Sequence, residues 1–515
     1  MTEGPWKGDA CSLVDAFRAG ERSPVEELEA TISAVEASGL NAFAHLDLDG
    51  ARATAATADV ELRFGGVPIG IKELEPVAGW PYTEASLVFA DRISSYDSTM
   101  VTRLRSAGAV ALGSTTSSEF GGLNVSVSKI NGVTRNAWNP GRSAGGSSGG
   151  SATAVAGGLV AIATGGDGGG SIRIPAGYCG VVGMKGTYGR IPRGPHTSLS
   201  PHTIVLGCLA RSVRDAARYF DVTAGHDRHD PTSLPTMEGW EQSLGSHDLS
   251  GRTVVIDPTL GGVTVDPNAQ AVVLAAAEAL VSDLRMRRVD APVEIPRMGG
   301  EWMMGNVTSL YGELQGRWPA CAAEMTDELR VGVQLSENLY NMRVAAAGEM
   351  LRRKANSAMA RLFDEADFVI TSTNPGPAFA AEAGMSSDAH TFVDYARGGR
   401  WSRRAFSGAL KLARAVSGIA PKTPQRLLAK QTGRSPELLD MGALTMPANL
   451  SGNPAISIPV GDIDGLPIGM QVIGRHHEDA LLLDLALHIE RIRPWPLVAP
   501  GAPHFGHGVR SADER

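Results

Sequence analysis

The chain has 515 residues, with 47 Lys plus Arg against 55 Asp plus Glu, a net charge of −8 and a pI near 5.9. Apolar residues at 43% and charged residues at 20% exclude a disordered chain, and the lack of a basic stripe argues against direct nucleic-acid binding. Glycine is the outlier: 62 residues, 17 of them between 141 and 190, with no Gly-x-y period, so a collagen-like repeat is also excluded.

Met1 to Trp6 shows no basic segment followed by an apolar run, and the smoothest apolar stretch, Ala152 to Thr164, is far shorter than the ~20 residues of a membrane span. Four separated cysteines give no Cys-x-x-Cys and no disulfide framework. These features predict a soluble cytoplasmic protein. Residues 9–38 read as two helices, the second opened by the capping box Ser23-Pro24-Val25-Glu26. Val67 to Ile71 reads as a buried strand ending at Lys72, Thr99 to Ser106 as a helix, and Val110 to Leu112 as a strand. Residues 136–190 are rich in Gly, Ser and Ala, but recurring apolar residues such as Val155, Leu159, Ile162 and Val181 predict packed loop and helix rather than linker. Residues 253–290 read as strand–helix–strand. Leu335, Leu339, Met342, Ala346 and Met350 are spaced to form one helix face. Phe368 to Ile370, Ile456 to Ile458 and Met470 to Ile473 read as strands, and Glu478 to Arg491 as a closing helix. The expected organisation is a single α/β domain over 1–515, with a helical insertion at 297–440.

Three serine patterns compete for the chemistry. Gly145-Gly146-Ser147-Ser148-Gly149 fits Gly-x-Ser-x-Gly, but Arg135 to Ala144 contains no strand to build a nucleophile elbow. Ser126-Val127-Ser128-Lys129 fits Ser-x-x-Lys, but the turn signal Asn131-Gly132 replaces the apolar helix that motif needs. The third pattern joins Lys72, the Gly145–Ser151 loop, and Gly165-Gly166-Asp167-Gly168-Gly169-Gly170-Ser171-Ile172-Arg173-Ile174-Pro175. One helix and one short strand fit between the two serine loops, so both serines can approach each other. No histidine sits in a recognisable catalytic or metal motif.

These loops resemble the amidase signature family, densely from Gly66 to Pro192 (the catalytic core, 66–192) and again from Met446 to Gly474, including Asn449 to Ala455 and Gly465-Leu466-Pro467. The resemblance implies an α/β fold with a large central mixed twisted sheet flanked by helices. It implies a triad in which Ser171 is the nucleophile, Ser147 bridges after a cis peptide bond, and Lys72 is the base. It also implies an oxyanion hole from the N–H groups of Gly168, Gly169, Gly170 and Ser171. Ser148, Asp167 and Arg173 are expected in support, the last two as a pair. Burial of Lys72 at a strand end would favour its neutral form. Glycine stands at 166, 168 and 186 where the family often has threonine, threonine and proline; none of these departures removes a reacting group. Trp80, Tyr82, Trp302, Met303, Met304, Tyr311 and Trp318 are candidates for an apolar substrate pocket, together with residues 80–86 and 121–128, although such aromatics are as often core. The expected activity is hydrolysis of a carboxamide C–N bond of a small molecule, with no metal or organic cofactor and a homodimer as the default assembly. Carbamate or ester hydrolysis, the glutamine-hydrolysing subunit of a tRNA-dependent amidotransferase, and an inactive scaffold are the alternatives.

Overall fold

The structure, a computed structural model, describes residues 4–197, 202–384 and 441–502; the side chains of 299–304, 383 and 384 also lie outside the description. Residues 385–440 of the expected insertion therefore fall outside it. The described strands are β1 (Phe43–Leu46), β2 (Pro68–Lys72), β3 (Val110–Thr115), β4 (Val127–Ser128), β5 (Gly132–Val133), β6 (Ile162–Asp167), β7 (Val182–Lys185), β8 (Val205–Ala210), β9 (Thr253–Ile256), β10 (Arg287–Arg288), β11 (Phe368–Ser372), β12 (Ala455–Ile463) and β13 (Leu466–Gly474). β4 and β5 form a small hairpin; the other strands form one 11-stranded mixed sheet in the order β1-β3-β2-β6-β8-β7-β12-β13-β11-β9-β10. β2 runs parallel to both β3 and β6, whereas β6, β8, β7, β12, β13 and β11 pair antiparallel in turn.

The helices are α1 (Ala10–Ala19), α2 (Pro24–Ala37), α3 (Leu48–Ala56), α4 (Thr99–Ser106), α5 (Gly149–Ala156), α6 (Arg173–Cys179), α7 (Val213–Thr223), α8 (Pro267–Asp283), α9 (Gly299–Glu313), α10 (Asp327–Leu339), α11 (Met342–Glu365), α12 (Met446–Leu450) and α13 (Asp479–Ile492). The capping box at Ser23 and Glu26 forms as its sequence requires. Alternate strand residues face opposite cores. Ile162, Leu206, Cys208 and Ala210 join one core with residues of α1, α4, α7, α8 and α13. Ala163 and Leu209 join the other with residues of α2, α3, α5 and α6. A third cluster, Val307, Leu310, Leu314, Trp318, Met325, Leu329 and Val333, fills the helical block and reaches the sheet domain at Val88 and Phe89. All four cysteines are buried and free. No helix among the described residues is long and apolar enough to cross a membrane.

One expected helix face is not formed. Leu335 and Leu339 close α10, and Asn341 starts a new helix by accepting hydrogen bonds on Oδ1 from the N–H groups of Arg343 and Val344. The break turns Met342 and Met350 away from the core, at 87% and 61% exposure.

Candidate active site

Parallel neighbours bring chain ends to the same edge of a sheet, and open α/β sheets bind ligands there. β2 delivers Lys72 to that edge, and β6 delivers Asp167 and then the Gly168–Ser171 loop. Lys72 is buried at 1% exposure, with its N–H on Thr164 Oγ1 (2.8 Å). Its Nζ donates to Ser147 Oγ at 2.7 Å and to the Gly166 carbonyl at 3.1 Å. Burial pushes the amine down to about 7, against the opposing charges of Glu75 and Asp167.

Ser147 follows a cis Gly146–Ser147 peptide bond and precedes α5. The loop is held by Ser126. The Ser126 N–H donates to the Gly145 carbonyl, its Oγ donates to the Ser147 carbonyl at 3.1 Å, and Gly149 N–H donates to that Oγ at 2.9 Å. A Cβ on Gly146 would lie 2.6 Å from the Val125 backbone, so only glycine fits this approach. Ser148 N–H donates to the Ser171 carbonyl at 3.1 Å, which joins the two serine loops. Among the described residues, Ser148 Oγ reaches only the Gly166 carbonyl, at 3.4 Å, beside the lysine rather than on it. Ser171 is 6% exposed, and among the described residues its hydroxyl has no hydrogen-bond partner.

Asp167 and Arg173 form a fully buried pair (3.0 Å), as their flanking positions predict. Burial alone would raise the Asp167 carboxyl, but the charge and hydrogen bonds of Arg173 hold it below the usual carboxylate range. The same carboxylate accepts from Gly170 N–H (2.7 Å) and Ile172 N–H (3.1 Å). Within the expected oxyanion set of Gly168, Gly169, Gly170 and Ser171, the Gly170 amide is committed to Asp167. Among the described residues, the N–H groups of Gly169 and Ser171 have no partner.

The C-terminal segment completes the network. Arg173 donates to the Thr445 carbonyl (2.8 Å), to Asn449 Oδ1 (2.6 Å) and to Gln471 Oε1, and Asn449 Nδ2 donates to Asp167. Lys185 is likewise fully buried; burial and the Arg173 charge push it down to about 7, and it donates to the carbonyls of Gly186, Ala448 and Asn453. Sequence reading missed Ser126, Thr445, Gln471 and Glu75. Glu75 follows Lys72 in a turn (its N–H donates to the Lys72 carbonyl, 2.8 Å), and burial pushes its carboxyl up to about 7 despite a Ser98 hydrogen bond.

The pocket candidates separate. Trp80 is a core residue, 4% exposed, with Nε1 on Asp47 Oδ2 (2.8 Å), the carboxylate that caps α3. Tyr82 is half-buried under the Arg92 guanidinium (4.1 Å) and feels the charge of Glu75. Trp318 is packed inside the helical block with Nε1 on Glu337 (3.2 Å), and Tyr311 is 47% exposed on α9. The side chains of Trp302, Met303 and Met304 lie outside the described residues. The residues that do crowd the serine are Gly121, whose added Cβ would lie 3.4 Å from Ser147 Oγ and 2.9 Å from Leu74, and Gly122, set against Leu329 of α10. The helical block is tied here by Glu119, which accepts from Ser86 Oγ (2.6 Å), Thr326 N–H (2.7 Å) and Thr326 Oγ1 (2.6 Å).

Comparison with known proteins agrees with this architecture. The chain belongs to the amidase family, whose profile matches residues 26–396 and 411–483, and it is a hydrolase of carbon–nitrogen bonds. It is 34% identical to the 6-aminohexanoate-cyclic-dimer hydrolase of Paenarthrobacter ureafaciens, over 95% of each chain. It is 29% identical to a glutamyl-tRNA(Gln) amidotransferase chain of Lacticaseibacillus paracasei, over 93% of this chain and 94% of that one. Its fold superposes on a bacterial aryl acylamidase of the amidase signature family with a TM-score of 0.81 and 26% identity, covering 95% and 97% of the two chains.

Proposed function

We propose that the chain cleaves a carboxamide through an acyl-enzyme on Ser171, with Ser147 bridging to Lys72 as base. The observation that carries this reading is the 2.7 Å hydrogen bond from Lys72 Nζ to Ser147 Oγ in surroundings that bring the lysine down to about 7. A lysine in water stays charged and accepts no proton; this one is substantially neutral at neutral pH. On attack, Ser171 Oγ bonds to the carbonyl carbon, its proton passes to Ser147 Oγ, and the Ser147 proton passes to Lys72 Nζ. The carbonyl oxygen takes the negative charge, facing the Gly169 and Ser171 amides. Collapse breaks the C–N bond while the proton returns through Ser147 to the leaving nitrogen. Water then repeats the sequence on the ester and releases the acid. The Ser171–Ser147 hydrogen bond is the link still to be made, and such bonds often tighten only once substrate is bound.

Small organic amides are the favoured substrates, because Leu74 and Leu329 crowd Gly121 and Gly122 beside Ser147 and the structural neighbour is an aryl acylamidase by name. The amidotransferase likeness keeps glutamine as the second reading. A panel of aliphatic amides, aryl amides, carbamates, esters and glutamine separates them, run beside fluorophosphonate labelling. Turnover of non-glutamine amides by the isolated chain is expected. Glutamine turnover alone would select the amidotransferase reading, faster carbamate or ester cleavage would select those substrates, and no labelling with no turnover would select a scaffold.

The base assignment also predicts pH dependence. Lys72 must be neutral to act, so kcat/KM is expected to rise with pH through about 7. Glu75 and Asp167 are the negative charges acting on it. Glu75→Gln removes one of them, which disfavours the ammonium and moves the acidic limb to lower pH. A flat profile between about pH 6 and 9, with chemistry rate-limiting, would rule Lys72 out as base.

A further inference from the structure

The Gly169–Gly170 peptide is held at both ends. Its N–H donates to Asp167 Oδ1 at 2.7 Å, and its carbonyl accepts from Thr445 Oγ1 at 2.7 Å. Both flanking residues are glycine, so neither side chain resists rotation of this peptide plane about its own axis. Gly170 sits at φ +131°, and a Cβ there would come within 2.1 Å of Thr445 Oγ1, so the threonine also packs directly on the loop. The two amides left without partners, Gly169 N–H and Ser171 N–H, belong to the peptide planes on either side of the clamped one. Any tilt of the central plane therefore displaces both.

Thr445 is itself fixed. Its carbonyl accepts from Arg173, and the preceding Leu444 carbonyl accepts from Gln471 Nε2 at 2.9 Å. The hydroxyl lies 276 residues along the chain from the carbonyl it holds, and it is fully buried.

Resting on the acyl-enzyme reading above, we infer that Thr445 is a positioning residue for the reaction: its hydroxyl and Asp167 together lock the Gly169–Gly170 peptide so that the neighbouring amides face the developing oxyanion. It touches neither substrate nor nucleophile. Its contribution appears when charge develops, so it acts on kcat rather than on ground-state binding.

The test compares Thr445→Val, Thr445→Ser and Thr445→Ala with the parent chain, and with Ser171→Ala, on an amide that the parent hydrolyses. Thr445→Val keeps the shape and removes the hydroxyl. Its kcat is expected to fall on the order of 10²-fold, as for an ångström-scale misplacement of catalytic groups. KM should stay within about threefold and the midpoint of the acidic pH limb should not move. Fluorophosphonate labelling should slow by a similar factor, because the phosphonyl oxygen uses the same amides. Thr445→Ser keeps the donor and should stay within about threefold of the parent in kcat. Should the valine variant fail to fold, the alanine and serine variants decide: alanine falling while serine holds supports the clamp, and equal loss in both overturns it. A valine variant within twofold of the parent, or a loss carried by KM or by a shifted pH limb, also overturns it. If Ser171→Ala is inactive and Thr445→Val is not impaired, only the clamp is wrong; if Ser171→Ala retains turnover, the acyl-enzyme reading and the clamp fall together.

Discussion

Ser171→Ala is expected to lose about 10⁴- to 10⁶-fold in kcat while the fold is kept. The replaced oxygen is the protein atom that, in this reading, forms a bond to carbon, so no neighbouring group substitutes for it. Ser147 is buried at 1% exposure with its hydroxyl already committed to Lys72, and a relay without an attacking atom transfers nothing. The structural cost is small, because Ser171 contributes its carbonyl, not its hydroxyl, to the contact with the Ser148 amide. The measurements are turnover, fluorophosphonate labelling and a denaturant midpoint on the same sample. Turnover within tenfold of the parent, with the parent labelled elsewhere, would move the nucleophile to another residue.

Asp167→Asn is expected to be the most damaging single substitution for the fold around the site, at about 3–5 kcal/mol. The carboxylate accepts from Gly170 N–H, Ile172 N–H, Arg173 and Asn449, and Arg173 is completely buried. An amide carries no charge and turns one acceptor into a donor. It leaves the guanidinium uncompensated and sets an NH₂ group against N–H donors. Activity should fall as well, since the Gly170 amide loses its anchor. A lowered urea midpoint checks the first effect, and kcat measured well below that midpoint checks the second. A variant as stable as the parent would mean that the Thr445 carbonyl, Asn449 and Gln471 satisfy Arg173 without the carboxylate.

What the sequence made readable was chiefly local. Lys72 could be placed because five consecutive residues of β2 are buried, and an apolar run ending in one charge marks such a strand end. Asp167 and Arg173 are six residues apart across a glycine loop, so their pairing could be expected. Ser126 was visible only within the segment 121–128 and the rejected Ser-x-x-Lys pattern, and its role in holding the Ser147 carbonyl depends on a hairpin too short to carry a pattern. Thr445 and Gln471 are ordinary polar residues that reach the site from some 270 to 300 positions away, and no periodicity reports such a contact. Spacing misled at Asn341, where apolar residues at helical intervals run across a helix cap. Aromatic content could not separate core from pocket at Trp80 and Trp318, both of which pack in hydrophobic clusters, because large rings fill cores as readily as pockets.

The sheet order carries a consequence for how the protein comes to be made. β12 and β13 lie between β7 and β11, so a growing chain that has not yet reached residue 455 holds two separate half-sheets, each with a bare edge in what will become the middle. Lys72, Ser147 and Ser171 have all been synthesised by then; of the residues that brace their loops, Thr445 and Asn449 come only just before residue 455 and Gln471 comes after it. Domains generally fold as units during synthesis. A fragment ending before β12 would therefore carry Lys72, Ser147 and Ser171 without a continuous sheet and without the Gln471 contact to Arg173.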